Sequence, residues 1–513
     1  MRAASAHPTD RRSQPVDLAC AFGAALLFYG FTLAPGVVWG DSATLAIDAL
    51  QRSITFGTAG DHPLFVLAAS VLAALPGDVA HNVNFTSAVF GALAVMLVFR
   101  CGRLLGASRL ASATGAAALA VSHAFWLHSV IAEVYTANAF FLAAVLNLLL
   151  EWRRRRRWTW LAGAAVVFAV GLTNHLILAA VAPAAVLFIA LTGGRDLLTR
   201  RALAWTAMCT ASLAIAAFVW RVPTATALRR LWWGPPGIWE YLNWGFDGSA
   251  TAREAAYYAA YLLYQFPTIS IALVLLGAWT LLRERPADAW LLLLTIVVNA
   301  AVFVRHTVWP SNSLGGAKFV FYISDYVVFA MFCAVGADRM FSRLAHAQPS
   351  ARRLASAAVI AGVAVVPPVL YAAMPWAVKR AGVDLVHARQ IPYRDNERFF
   401  LNPNKRGEDG ARRFGREALD AVKPRAVIFG DYTPASVIAY LKSVEKLRPD
   451  VSIRHDGSQS VCVQWLLDDQ GRRRPTYVAA LTPPSYYDFH DLTGAYDLVP
   501  AGPIIEVRPR DGQ

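Results

Sequence analysis

The chain has 513 residues, 56% hydrophobic and only 16% charged, with 48 Lys and Arg against 34 Asp and Glu for a formal net charge of +14. A soluble globular domain carries about 25% charge, so these proportions exclude a protein that is soluble along its whole length. The five cysteines (Cys20, Cys101, Cys209, Cys333 and Cys462) lie mostly in or beside apolar runs, which excludes a disulfide framework and shows no metal-ligand spacing.

Composition changes sharply along the chain. Up to Ala373, long apolar runs alternate with short basic clusters, and beyond it the sequence reads as a soluble domain. Residues 1–374 are therefore expected to form an all-α polytopic membrane domain, and residues 375–513 a small α/β domain. A spanning helix needs about 20 apolar residues. Runs of about that length fall at 18–33, 83–99, 110–125, 131–150, 158–171, 176–191, 202–220, 257–282, 289–304, 319–336 and 354–372. The first is followed by no small-residue cleavage site, so it reads as a span and not as a leader. The run 64–75 is too short to cross and is closed by Pro76-Gly77; it reads as an interfacial or half-inserted helix.

The loops alternate in charge. One side carries Arg11 and Arg12, then Arg100, Arg103 and Arg109, the run Arg153 to Arg157, and Arg195, Arg200 and Arg201. Arg283, Arg285, Arg339, Arg343, Arg352 and Arg353 continue the same side. The other side has few basic residues, and its connections around His128 and Asn174 have no Lys or Arg. Positive charge marks the cytoplasmic side, which places the N-terminus inside and, after an odd number of spans, the C-terminal domain outside. The same distribution accounts for the net charge without nucleic acid as a partner.

Ionisable residues at membrane depth are candidates for function. Asp41 follows the first span, and Asp61-His62-Pro63 precedes the half helix. Glu133, Tyr135 and Asn138 open the fourth span, Asn174-His175 sits in a tight turn, and Arg305, His306 and Lys318 flank a later outer loop. All map to the outer face. Each has a structural alternative: Asp41 as a helix cap, His62 as a turn residue, and Asn174-His175 as partners for two helix ends. Arg229 and Arg230, among Trp232, Trp233, Trp239 and Trp244, fit an interfacial aromatic belt or a phosphate-holding patch.

These residues resemble the GT-C superfamily of integral-membrane glycosyltransferases, and within it the bacterial protein O-mannosyltransferase-like family. The likeness rests on Asp41-Ser42-Ala43-Thr44, His62-Pro63-Leu64-Phe65, Ala132-Glu133-Val134-Tyr135-Thr136-Ala137-Asn138 and Thr173-Asn174-His175. It is strongest over 39–191, with weaker echoes at 319–336 and from Gly430-Asp431-Tyr432 to Arg448-Pro449-Asp450. Two positions depart from the family pattern. Thr44 stands where a second acid is usual, and His62-Pro63 runs directly into Leu64-Phe65.

The resemblance implies a polyprenyl-phosphate monosaccharide, with mannose or another hexose, as donor on the extracytoplasmic face. A protein, glycan or lipid hydroxyl would be the acceptor. Transfer would invert the anomeric centre through an oxocarbenium-like transition state. Asp41 is then the expected general base, with Glu133 positioning the acceptor or a cation. His62, Tyr135, Asn138, Asn174, His175, Arg305, His306 and Lys318 are the expected donor-binding groups, and Arg305, Lys318 and His175 the cations facing the phosphate. Neither metal nor cofactor is expected. A transporter or flippase would also use intramembrane ionisable groups, although no internal repeat is visible. A non-catalytic scaffold with an outer binding domain is the third reading.

In the C-terminal part, 402–423 reads as a charged loop entering an amphipathic helix with Phe414, Ala418, Leu419 and Val422 on one face. The run 426–429, a helix over 434–447 and a strand at 451–453 make a βαβ unit. Further strands are expected at 477–481 and 504–507, and Asp431 reads as a helix cap or as a ligand group at the end of a strand.

Overall fold

The computed structural model describes residues 10–54, 62–193, 211, 248–305, 317–388, 390–455, 465–466, 474–479 and 496–510. The span expected at 202–220, residue 211 apart, and the tryptophan-rich loop with Arg229 and Arg230 lie outside the described residues.

The first half of the membrane domain contains α1 (Asp10–Thr32), α2 (Asp41–Gln51), α3 (Pro63–Ala73), α4 (Val79–Leu104), α5 (Arg109–Ala120), α6 (His123–Ser129), α7 (Tyr135–Arg155) and α8 (Trp158–Leu172). A 3-10 segment, Leu176–Ala180, leads into α9 (Val181–Gly193). The second half contains α10 (Gly248–Gln265), α11 (Ile269–Glu284), α12 (Pro286–Arg305), a 3-10 segment at Ala317–Tyr322, α13 (Ile323–Leu344), α14 (Pro349–Ala364) and α15 (Val366–Ala381). Among the described residues, 6 helical segments are long and apolar enough to cross a membrane, or up to 9 if each bent pair is one span.

The bent pairs correct three spans read as single helices. α5 and α6 meet at 71°, α10 and α11 at 108°, and α14 and α15 at 43°. Pro267 stands in the break between α10 and α11, and Pro367 and Pro368 open α15. A proline lacks the N–H of the helical ladder and its ring clashes with the preceding turn, so apolar composition alone does not reveal these bends. The boundary drawn at residue 375 falls inside α15, which continues to Ala381.

Burial separates the centre of the bundle from its rim. In Phe319–Leu344, 89% of the most apolar stretch is buried, against 17% in Pro15–Thr32, where Leu27 and Phe31 point outward. α13 therefore runs through the middle, and α1 offers a lipid-facing side. Close approach of α11 and α13 depends on two glycines. A Cβ on Gly277 would lie 1.9 Å from the Phe332 carbonyl oxygen, and one on Gly336 would lie 1.9 Å from that of Leu273. Small residues at such crossings allow backbone contact between membrane helices.

On the basic face, carboxylates staple the helix ends together. Buried Glu151 accepts from Arg100 (3.0 Å), Arg154 (3.0 Å) and Arg155 (2.8 Å). Buried Asp288 pairs with Arg285 (2.7 Å) and with Arg153 from another helix.

The C-terminal domain contains α16 (Asn396–Leu401), α17 (Gly410–Ala421), β1 (Val427–Gly430), α18 (Tyr432–Ser443), β2 (Ser452–His455), β3 (Thr476–Val478), β4 (Tyr496–Ala501) and β5 (Ile504–Pro509). The sheet order is β2-β1-β3-β5-β4, with β1 parallel to β2 and β3, and β5 antiparallel to β3 and β4. The βαβ unit is present as β1-α18-β2. Strand β4 had no expectation from sequence, because its burial alternates only weakly and, among the described residues, it pairs solely with β5. α17 buries Phe414, Ala418 and Leu419 as its pattern requires.

This domain is seated on the membrane domain at several points. Arg412 pairs with Asp78, the N-cap of α4, and with Glu445 (3.1 Å). The Ala80 N–H donates to the Tyr440 hydroxyl (3.2 Å), and the Lys405 N–H donates to the Thr32 carbonyl (3.0 Å). Phe414 packs on Trp39 at 5.4 Å between ring centroids.

Candidate functional site

The turn that links α6 to α7 is the hub of the candidate site. Buried Asn84 on α4 donates to the carbonyls of Ala34 (3.2 Å) and Gly36 (3.0 Å), and accepts from the Ala132 N–H (2.8 Å). Ser87, one turn further along α4, accepts from the Glu133 N–H and donates to the Glu133 carbonyl, both at 3.0 Å. Ser42 on α2 donates to the Ala132 carbonyl (2.9 Å), and Asn174 donates to the Val134 carbonyl (3.1 Å). Backbone groups buried outside regular structure need such partners. These four side chains bring the loops after α1, α6 and α8 to one place.

Asp41 is the first residue of α2. Gly40 occupies the N-cap with φ +74, a left-handed conformation that suits glycine, and it makes no side-chain cap. The Asp41 carboxylate is exposed beside this turn. Half-buried Glu133 lies close enough for the two charges to interact. Burial first, and the charge of Asp41 second, push the Glu133 carboxyl well above the usual glutamate range. Among the described residues, neither acid pairs with an Arg or Lys.

Aromatic and imidazole rings form a wall next to this pair. His62 and His175 stack at 5.1 Å between centroids, Tyr135 follows at 5.4 Å from His175, and His128 and Phe321 lie 5.3 and 6.0 Å from Tyr135. His62 is fixed by a 2.7 Å hydrogen bond from Nδ1 to the Asn174 carbonyl oxygen. Burial, with His62 beside it, pushes His175 down to about 3, so the ring is neutral at physiological pH. Its Nδ1 accepts from the Ile177 N–H (3.1 Å), which leaves the ring proton on Nε2. His175 therefore presents a neutral N–H donor and not the cation expected from sequence, because burial opposes the charged form.

Asn138 is used elsewhere: buried in the bundle, its Nδ2 donates to Ser324 Oγ on α13 at 3.3 Å, so it ties two central helices. Arg305 closes α12 and Lys318 lies in the following 3-10 segment, but their side chains, like all of Asp61 and His306, are outside the described residues. Among the described residues, no group of three or more His, Cys, Asp or Glu side chains is placed to hold a metal. Asp431 proves to be the N-cap of α18, accepting from the Thr433 N–H at 2.8 Å.

Tyr432 is the neighbour that sequence reasoning missed. Its hydroxyl is in hydrogen-bond contact with Thr44 Oγ1 at 3.0 Å, and the Asp41 carboxylate lies near enough for its charge to act on the phenol. The Gly430-Asp431-Tyr432 motif was visible in the sequence, but contact across nearly 400 residues had no local signal.

Comparison with known proteins agrees with this architecture. Residues 57–197 match the family model described as the N-terminal domain of the protein O-mannosyl-transferase TMEM260. The mouse protein O-mannosyl-transferase TMEM260 is 30% identical over 129 residues, which are 25% of this chain and 18% of that relative. The match thus spans less than a fifth of the relative's length. The crystal structure of ArnT from Cupriavidus metallidurans bound to undecaprenyl phosphate superposes with a TM-score of 0.58 at 14% identity, over 95% of this chain and 97% of that one. The Archaeoglobus fulgidus oligosaccharyltransferase gives a TM-score of 0.48 at 14% identity, over 85% of this chain and 62% of that one. The chain is an integral membrane protein that shares the fold of ArnT, and its likeness in sequence, over 57–197, is to an O-mannosyl-transferase.

Proposed function

We propose that this chain transfers a hexose, such as mannose, from a polyprenyl-phosphate donor to an acceptor hydroxyl on the extracytoplasmic face, with inversion. The observation that carries the reading is the exposed Asp41 carboxylate beside Glu133 and the His62–His175–Tyr135 wall, where loops far apart in sequence converge. The O-mannosyl-transferase likeness over 57–197 and the undecaprenyl phosphate held by ArnT support the same class of donor.

In the proposed reaction, Asp41 takes the acceptor's proton as the new oxygen–carbon bond forms at the anomeric centre. The bond from that carbon to the phosphate oxygen breaks, and polyprenyl phosphate leaves. Glu133, which holds its proton above the usual glutamate range, donates a hydrogen bond to a hydroxyl of acceptor or sugar. The ring wall packs against the apolar face of the sugar, and the His175 Nε2–H provides a fixed donor. Arg305 and Lys318 are assigned to the leaving phosphate, and no step requires a metal. The positive-inside distribution supports a cytoplasmic N-terminus and an extracytoplasmic C-terminal domain. A protein Ser or Thr is the acceptor that the O-mannosyl-transferase likeness favours.

The test uses the full chain in membrane vesicles, with radiolabelled polyprenyl-phosphate mannose and a Ser/Thr-rich peptide. Wild type is expected to label the peptide and Asp41→Asn is not. A wild type that binds the donor and transfers nothing would establish the scaffold reading in its place.

A further inference from the structure

Tyr432 belongs to the C-terminal domain, yet its hydroxyl lies among groups of the membrane domain. The placement is firmly supported. Asp431 caps α18 directly before it, α18 packs against α2, and Tyr440 on the same helix accepts from the Ala80 N–H. The Arg412 pairs with Asp78 and Glu445 hold the surrounding surface against the start of α4. Asp41, by contrast, is exposed at a helix start whose cap is a glycine with no side-chain hydrogen bond. Among the described residues no cation stands beside it; an exposed aspartate of this kind samples several rotamers, and ordering it costs conformational entropy.

From this juxtaposition we infer that Tyr432 is a positioning residue: with Thr44 it forms a hydrogen-bonded chain that holds the Asp41 carboxylate in the orientation that receives the acceptor's proton. The inference rests on the glycosyltransferase reading above. A phenol has one proton and two lone pairs. With that proton turned toward Asp41, the 3.0 Å contact allows the Thr44 hydroxyl to donate to the Tyr432 oxygen. Burial and the neighbouring charges of Asp41 and Glu133 push the Tyr432 phenol up, so it stays protonated and remains a donor. Tyr432 is 42% exposed and Asp41 is itself exposed, so the carboxylate stays open to an acceptor. The C-terminal domain thereby completes the site instead of merely covering it.

Purified full-length protein is assayed with polyprenyl-phosphate mannose and a Ser/Thr peptide. Tyr432→Phe keeps the ring and removes the hydroxyl. It is expected to lower kcat about tenfold, the effect of losing one hydrogen bond to a charged group, while the donor KM is unchanged. Thr44→Val is expected to lower kcat less, and the double variant to be no worse than Tyr432→Phe alone, because both act through one chain. An unchanged kcat in Tyr432→Phe, a loss confined to KM, or single losses that multiply in the double variant would each overturn the inference. A wild type that transfers no sugar removes the glycosyltransferase reading and this inference together. Wild-type transfer with an unaltered Tyr432→Phe removes the inference alone.

Discussion

The two ends of the membrane bundle both hold carboxylates near helix ends, and they use them in opposite ways. On the basic face, Glu151 and Asp288 are fully buried, and each is met by arginines from more than one part of the chain. On the other face, Asp41 and Glu133 lie near each other and, among the described residues, have no Arg or Lys partner. A buried carboxylate surrounded by guanidinium groups is neutralised and holds helices in register. Two acids left together keep their electrostatic cost, and sites of chemistry tolerate such a cost where structural sites do not. The difference separates staple from site more sharply than the mere presence of acids in a membrane domain.

The comparison can be broken or sharpened by three substitutions. Asp41→Asn should have the largest effect, a loss of sugar transfer of about 10²-fold or more, as expected for removal of a general base. Donor binding and thermal stability should be nearly unchanged, measured by donor binding to purified protein and by melting in detergent. An equally large drop in melting temperature would make Asp41 a structural acid like those at the opposite end.

Glu151→Gln should show the inverse pattern. It leaves Arg100, Arg154 and Arg155 without their shared acceptor and should cost about 2 kcal/mol, discounted because the arginines themselves are partly exposed. Melting temperature should fall, while transfer per folded molecule is retained. Loss of transfer without loss of stability would show that the two faces are coupled.

The smallest effect is expected at Glu133. A carboxyl raised in the folded state favours folding while protonated, and its penalty grows as pH rises from the unfolded glutamate value toward the folded one. Glu133→Gln removes that penalty. Its melting temperature should match wild type near pH 4, below the ordinary glutamate value of about 4.3, and exceed it by a few degrees near pH 8. Equal melting curves at both pH values would mean that Glu133 carries no electrostatic cost.

Much of this molecule is legible from composition and pattern. The membrane class, the small α/β C-terminal part and its βαβ unit follow from hydrophobic run length and periodicity, which are local properties. The convergence of Asp41, His62, Glu133 and His175 on one face followed from loop charge, because topology is an additive property of the sequence. Local pattern did not reveal the bends at Pro267 and at Pro367-Pro368 as breaks in apolar runs, since hydropathy measures composition and not the continuity of the backbone ladder.

Tertiary structure alone decided how each site residue is used. Asn138 and Asp431 look as polar as their neighbours in sequence, yet one ties α7 to α13 and the other caps α18. His175 looks like a cation until burial fixes it as a neutral donor. Tyr432 joins Asp41 and Thr44 only because α18 packs on α2. Which acids are paired and which rings are neutral depend on distance and dielectric. Those quantities exist only after the chain has packed.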